Sequence, residues 1–323
     1  MNAAPGEHGG PDALGQPRHD FSTNANACGP CPQVLAAVNA ADAAHYPDPL
    51  YTALRERLAA FHGVDAERIH LAASASEFIM RMTAVAARLG GQGVYFPQPG
   101  YADYARAAQA HGLHRAPAAQ ASLLWHADPD SPRGRTLAAP PLRRGAIGVL
   151  DMAYAPLRLQ GDAVQDALYW RLWTPNKALG LTGVRAAYAL APAVERDDAV
   201  APQLEALMPS WPIGAHGVAM LHHWTLESTQ HWLRDCLPVL REWKARQIAT
   251  CESLGWACLP SDASFFCAAP STQDLPALLA YLRSAHGIKL RDATSLGLPG
   301  FVRLNVLSPA SQDALREALL HRP

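Results

Sequence analysis

The sequence predicts an α/β protein, with a large domain built on a mainly parallel, mixed sheet between helices and a smaller α+β domain. Three observations carry this. Short apolar runs alternate with helical patterns from about residue 68 to residue 190. The runs are separated by helices long enough to act as crossovers, which is what parallel neighbours need. From about residue 218 the pattern changes to a long helical stretch followed by shorter strand-like pieces.

The elements follow in order. "RIHLAA" (68–73) reads as a strand, and the helix after it places Phe78, Met82, Val85, Ala86 and Leu89 on one face. "GVYF" (93–96) is a short buried strand, and "YADYARAAQAHG" (101–112) is a helix stopped by Gly112. "AIGVLD" (146–151), "LYWRLW" (168–173) and "RAAYAL" (185–190) are three more strands. The chain is then helical to about residue 254, and "FFCAA" (265–269) and "FVRLNVL" (301–307) flank the helix "LPALLAYLRSAHG". The expected division is an N-terminal arm (1–45) packing on the small domain, a large domain (46–220) and a small C-terminal domain (221–323).

Composition narrows the function. The chain has 323 residues, 49% hydrophobic and 17% charged, with net charge −1, as in a soluble globular enzyme. That balance attracts neither nucleic acid nor an anionic membrane surface. No apolar run reaches the roughly 18 residues of a membrane span. "MNAAPGEHGGPDALG" lacks the basic and apolar regions of a secretory signal. Six cysteines are too few for a disulfide scaffold, so a cytoplasmic protein with reduced thiols is expected. Fourteen histidines form no H-x₃-H or E-x-x-H pairing, so no metal is expected.

The stretch "WTPNKALGLTGVRAAYAL" (173–190) carries the most chemistry. Lys177 follows a strand and precedes a Gly-rich apolar turn, with Arg185 just beyond. A partly desolvated lysine supplies more neutral amine, the form that makes a Schiff base. Asp151 closes the strand "AIGVLD", at the carboxyl end where α/β sheets bind ligands. A pyridinium nitrogen needs such a carboxylate to remain protonated. Ser74 and Glu77 have capping-box spacing after a strand, which makes a helix N-terminus suited to phosphate. The competing motif is "CGPC" (28–31). Cys28 and Cys31 sit ahead of a helix-like run, where thiol pKa values can be depressed, and raise a remote thiol–disulfide oxidoreductase reading. Ala27 precedes the pair where such enzymes usually carry Trp, and no strong strand ends there.

Lys177 with "ALGLTGVR" resembles the pyridoxal-phosphate (PLP) motif of class I/II aminotransferases, the fold-type I superfamily. The resemblance runs over nearly the whole chain, through "DFSTNANACGP", "HYPDP", "PQPGYADY" and "FVRLNV". It implies a PLP enzyme in which Lys177 is the Schiff-base lysine and proton shuttle, Asp151 pairs with the pyridinium nitrogen, and Tyr154 approaches the phenolic oxygen. Tyr101 would stack on the ring, and Ala75, Ser76, Thr174 and Arg185 would hold the phosphate. Tyr46 would reach the cofactor phosphate of a second subunit in a homodimer, and Arg303 would clamp the substrate carboxylate.

Within the family, "EHGGPDALGQPRHDFSTN" and "LRDATSLGLPGFVRL" resemble the threonine-phosphate decarboxylase branch of cobalamin biosynthesis. Histidinol-phosphate aminotransferases are the alternative. His8, Asn26 and Arg291 would then meet a substrate phosphate or distal carboxylate. Some positions depart from the family pattern. Ser131 stands where an asparagine donates to the phenolic oxygen, Asn176 replaces the usual serine before the lysine, Ser74 replaces a glycine, and Met152 replaces an acid. These bear on efficiency and substrate more than on PLP binding.

Overall fold

A seven-stranded sheet organises the larger part of the computed structural model, which describes residues 9–164, 166–193 and 199–321. Along the chain the elements are β1 (His19–Asp20), α1 (Pro32–Asn39), α2 (Thr52–His62), β2 (Ile69–Ala72), α3 (Ala75–Arg88), β3 (Gly93–Tyr95), α4 (Ala102–Ala110), β4 (His114–Arg115), β5 (Leu123–Ala127), β6 (Ile147–Asp151), β7 (Trp170–Trp173) and β8 (Ala187–Leu190). There follow α5 (Val200–Ala206), α6 (Ala215–Trp224), α7 (Glu227–Ser253), β9 (Ala257–Cys258), β10 (Phe265–Ala269), α8 (Leu275–His286), β11 (Ile288–Lys289), β12 (Arg291–Asp292), β13 (Val302–Asn305) and α9 (Pro309–Leu320).

The large sheet has the order β2-β8-β7-β6-β5-β3-β4. The strands from β4 to β7 are parallel, and β8 runs antiparallel to both β7 and β2. The central strands are buried on both faces, which is why "LLWHA" and "GVLD" read as unbroken apolar runs rather than alternating ones. One core layer packs Phe78, Met82 and Val85 of α3 against Val149, Leu172 and Trp125 of the sheet. The other continues from Leu71 and Tyr188 through α1, α2 and α6 to Phe266 and Leu304 of a second sheet.

That second sheet is antiparallel, in the order β12-β13-β10-β9. β1 pairs in parallel with β11, placing His19 opposite Ile288 and Asp20 opposite Lys289. The segment after β1 crosses to the lysine turn: the Asn26 amide donates to the Lys177 carbonyl at 2.9 Å, and Cys31 N–H to the Leu179 carbonyl at 2.9 Å. Because β6 and β7 are parallel neighbours, their carboxyl ends deliver Asp151 and Thr174 to the same edge.

Candidate active site

The inner pocket is assembled from four chain segments. α3 begins at Ala75, with the Ser74 hydroxyl accepting from Glu77 N–H at 3.1 Å and the Glu77 carboxylate accepting from Ala73 N–H at 3.2 Å. This reciprocal cap opens α3 at Ala75 and Ser76, which line the pocket, and a helix N-terminus of this kind can receive an anion. Arg185 lines the same wall and, among the described residues, forms no ion pair. Among the described residues, the buried Thr174 hydroxyl has no hydrogen-bond partner. A buried unpaired hydroxyl is costly, so the cluster is built to meet a group that supplies acceptors.

Asp151 forms the floor. Its Oδ2 accepts from the Tyr104 hydroxyl at 2.8 Å and its Oδ1 from Ala153 N–H at 3.0 Å. Burial raises its pKa, opposed by the Tyr104 hydrogen bond and the charge of Lys177. Tyr104 was not foreseen in the sequence. It lies fully buried and stacks on Trp125, with centroids 5.2 Å apart and planes 10° from parallel. The Lys177 amine lies 5.4 Å from the Tyr154 ring centroid. The Tyr101 hydroxyl donates to Asp103 at 2.8 Å and lies 3.3 Å from the Ser76 hydroxyl.

The pocket opens into a cleft of about 960 Å³ that Lys177, Tyr154 and Arg185 also line. On its far side Arg303 donates to the Ser22 carbonyl at 3.0 Å and to the Ser131 hydroxyl at 3.3 Å, and its Nε has no partner among the described residues. Arg291 lies directly opposite Arg303 across the β12–β13 pair, and donates to Ser295 Oγ at 2.7 Å and to the Asp292 carbonyl at 2.6 Å. Both arginines are buried.

The structure brings Lys177, Asp151, Tyr154, Ala75, Ser76, Tyr101, Ser131, Thr174 and Arg185 to one pocket, and Arg291 and Arg303 to the adjoining cleft. One expected residue is placed differently. Asn26 lines neither cavity. Its amide donates to the Ala178 carbonyl at 3.0 Å and its Oδ1 accepts from Cys28 N–H at 3.0 Å, so it braces the lysine turn. Asn24 lines the cleft instead, buried, with both side-chain polar atoms unpartnered among the described residues. Tyr46 is 77% exposed and stacks on Trp211 at 4.4 Å, away from both cavities. His8 lies outside the described residues.

The expectation for "CGPC" is corrected. Cys31 is fully buried, and burial pushes its thiol pKa up; Cys28 is also raised, first by its contact with the Cys236 thiol and then by burial. Desolvation overrides the helix terminus here. The turn is a packing piece: Gly180, at φ +68°, meets Gly29 so closely that a Cβ on it would lie 3.0 Å from the Gly29 Cα.

The fold and this pocket define a PLP-dependent enzyme of fold type I. A family model described as aminotransferase class I and II matches residues 18–320, and the chain belongs to that family. It is similar to histidinol-phosphate aminotransferase 2 of Thiobacillus denitrificans, 28% identical over 327 residues, which cover 93% of this chain and 90% of that protein. A histidinol-phosphate aminotransferase of Symbiobacterium thermophilum is 29% identical over 340 residues, 93% of this chain and 90% of that protein. Among solved structures, histidinol-phosphate aminotransferase from Sinorhizobium meliloti in complex with pyridoxal-5'-phosphate matches with TM-score 0.77 at 24% identity, over 92% of this chain and 88% of that one. L-threonine-O-3-phosphate decarboxylase from Porphyromonas gingivalis matches with TM-score 0.73 at 20% identity, over 92% and 96%. At these identities the two structures share the fold with this chain. Among the described residues, no helix is long and apolar enough to cross a membrane.

Proposed function

We propose that the enzyme decarboxylates a small phosphorylated amino acid, with threonine phosphate the best fit. The observation that carries this is the cross-strand pair Arg291 and Arg303, which line one cleft together with Lys177. Directly opposed residues of an antiparallel pair lie about 5 Å apart at Cα, so their guanidinium groups serve anions a few bonds apart. A carboxylate and a phosphate on a short carbon skeleton have that spacing. Asn24, unpartnered in the same cleft, offers a further donor and acceptor.

PLP, when bound, supplies the electron sink for the bond broken at the substrate Cα. The residues divide the remaining work. Ala75, Ser76, Thr174 and Arg185, which line one pocket with Asp151, would hold its phosphate, and Asp151 would pair with its ring nitrogen. Arg303 holds the substrate carboxylate and Arg291 its phosphate. With PLP bound, Arg303 and Arg291 would fix the orientation of the substrate while its carboxylate leaves as CO₂, and Lys177 Nζ would supply the proton that replaces it at Cα. A second reading, amino transfer from histidinol phosphate, is supported by the names of the relatives above. Histidinol phosphate carries one anionic group and a ring, so in its half of the transfer only one of the two arginines would meet an anion. CO₂ release from threonine phosphate, measured beside 2-oxoglutarate-dependent transfer from histidinol phosphate, tests the proposal. Transfer without CO₂ release overturns it.

The same reading includes a homodimer in which Tyr46 reaches the partner's cofactor phosphate. Its support is an exposed apolar group formed by Tyr46, Leu50 and Trp211, where a tyrosine held by stacking projects from the surface. Sedimentation velocity of the holoenzyme checks this, and a monomer at working concentration refutes it.

A further inference from the structure

We propose that Asp12 is a positioning residue: it latches the segment 9–16, whose Gly9 lines the substrate cleft, and thereby sets the Ser22 carbonyl against Arg303. The proposal rests on the reading of Arg303 as the carboxylate clamp.

A continuous path of polar contacts links the two. The Asp12 carboxylate accepts a bidentate pair from Arg283, at 2.8 and 2.7 Å, and lies 3.2 Å from the Lys289 amine. Arg283 also donates to the Gly15 carbonyl at 2.7 Å, closing the small loop that Asp12 and Gly15 make by pairing their backbones. Lys289 Nζ donates to the Gly10 carbonyl at 2.7 Å, and Gly10 N–H donates to the Ser22 hydroxyl at 2.8 Å. Asp20 fixes Ser22 from the other side, accepting from its amide at 2.9 Å and its hydroxyl at 2.5 Å. The Ser22 carbonyl then receives Arg303 at 3.0 Å.

The geometry leaves little slack. Gly9 and Ser22 both line the cleft, and a Cβ on Gly9 would lie 2.2 Å from the Ser22 carbonyl oxygen. The backbone of residues 9 and 10 is therefore seated on the segment that carries Ser22. The latch draws its second and third charges from α8 and β11, elements continuous with the strand that carries Arg291. Asp12, Arg283 and Lys289 touch neither cavity, so they act on the site through the strap. Lys289 stands opposite Asp20 in the β1–β11 register, so the strap is tied at two places along the same edge. A bidentate carboxylate–guanidinium pair with a second cation is the geometry in which an ion pair does contribute, unlike an isolated surface pair.

The test compares holoenzyme of the wild type, Asp12→Asn and Asp12→Glu. Amide hydrogen exchange over residues 9–23 should be about tenfold faster in Asp12→Asn, as the segment opens locally. The KM for threonine phosphate should rise about tenfold while kcat stays within about threefold, the pattern of lost ground-state and transition-state binding together. Asp12→Glu, which keeps the charge, should recover most of both. Unchanged exchange in Asp12→Asn overturns the latch. Faster exchange with unchanged KM overturns the positioning role. A fall in kcat with KM unchanged also overturns it. If the wild type turns over neither threonine phosphate nor histidinol phosphate, the substrate reading has failed, and the latch stands or falls on exchange alone.

Discussion

The Tyr104 hydroxyl donates to Asp151 Oδ2 at 2.8 Å, deep beneath the pocket and with its ring stacked on Trp125. Burial raises the Asp151 pKa, so the carboxylate depends on its donors to stay ionised. An ionised Asp151 is what a protonated pyridine nitrogen requires.

Tyr104→Phe therefore tests how the electron sink is maintained. The stacked ring remains and the fold should persist. Removing a hydrogen bond to a charged group costs about 1.5–3 kcal/mol, so kcat should fall about tenfold or more. With its main donor gone the Asp151 pKa rises, and the acid limb of the kcat profile should move to higher pH. A profile superimposable on the wild type would show that Tyr104 only packs.

Thr174 makes a prediction of opposite signs. Its hydroxyl is buried and unpartnered, so it weakens the empty site and strengthens the filled one. Thr174→Val should make the apoenzyme about 1 kcal/mol more stable to denaturant. The same change should weaken PLP binding about tenfold. If both quantities move the same way, the hydroxyl does not face the phosphate.

Arg291 and Arg303 should separate by substrate. Arg303→Gln removes the carboxylate clamp and should lower kcat/KM about 10³-fold for any amino acid substrate. Arg291→Gln should raise KM for threonine phosphate about 10²-fold and leave unphosphorylated threonine nearly untouched. The ratio of kcat/KM for the two substrates in each variant is the measurement. Equal losses in Arg291→Gln would mean that the cross-strand pair acts as one carboxylate site.

How much of this was legible in the sequence depends on what fixes each feature. Lys177, Asp151 and Arg185 stand in local patterns tied to strand ends, and the structure gathers them in one pocket. "FFCAA" was legible to the residue as β10, because an apolar run in a polar setting has one reading. β5 was missed, because "LLWHA" lacks alternation, and a short apolar run by itself does not separate a buried strand from a buried helix segment. The direction of β8 was not legible either, since apolar runs do not encode polarity along the sheet. Asn24 and Asn26 are two residues apart with the same side chain, and only the packing of the lysine turn decides which is spent on backbone. The thiol environment of Cys28 and Cys31 was hidden for a related reason: the helix terminus is local and visible, whereas the Cys236 contact and the burial that outweigh it come from distant segments.

His62 supplies a stability prediction with a definite sign. Its Nε2 lies 2.8 Å from the Tyr188 hydroxyl, which itself accepts from Trp224 Nε1 at 3.0 Å. The Tyr188 proton is then free to be donated to His62, which suits a neutral imidazole. Burial, reinforced by the charge of Arg171, lowers the His62 pKa to about 4 from 6.5. A base whose folded pKa is depressed binds more protons when unfolded, so its contribution is present above about pH 6.5 and is lost as pH falls toward 4. The shift corresponds to about 3 kcal/mol across that window. His62→Gln retains an acceptor for Tyr188 and cannot be protonated. The variant should be less stable than the wild type at pH 7, and the gap should close or reverse on acidification. Unfolding measured at several pH values between 4 and 7 checks this, and a gap that stays constant would exclude His62 as the titrating group.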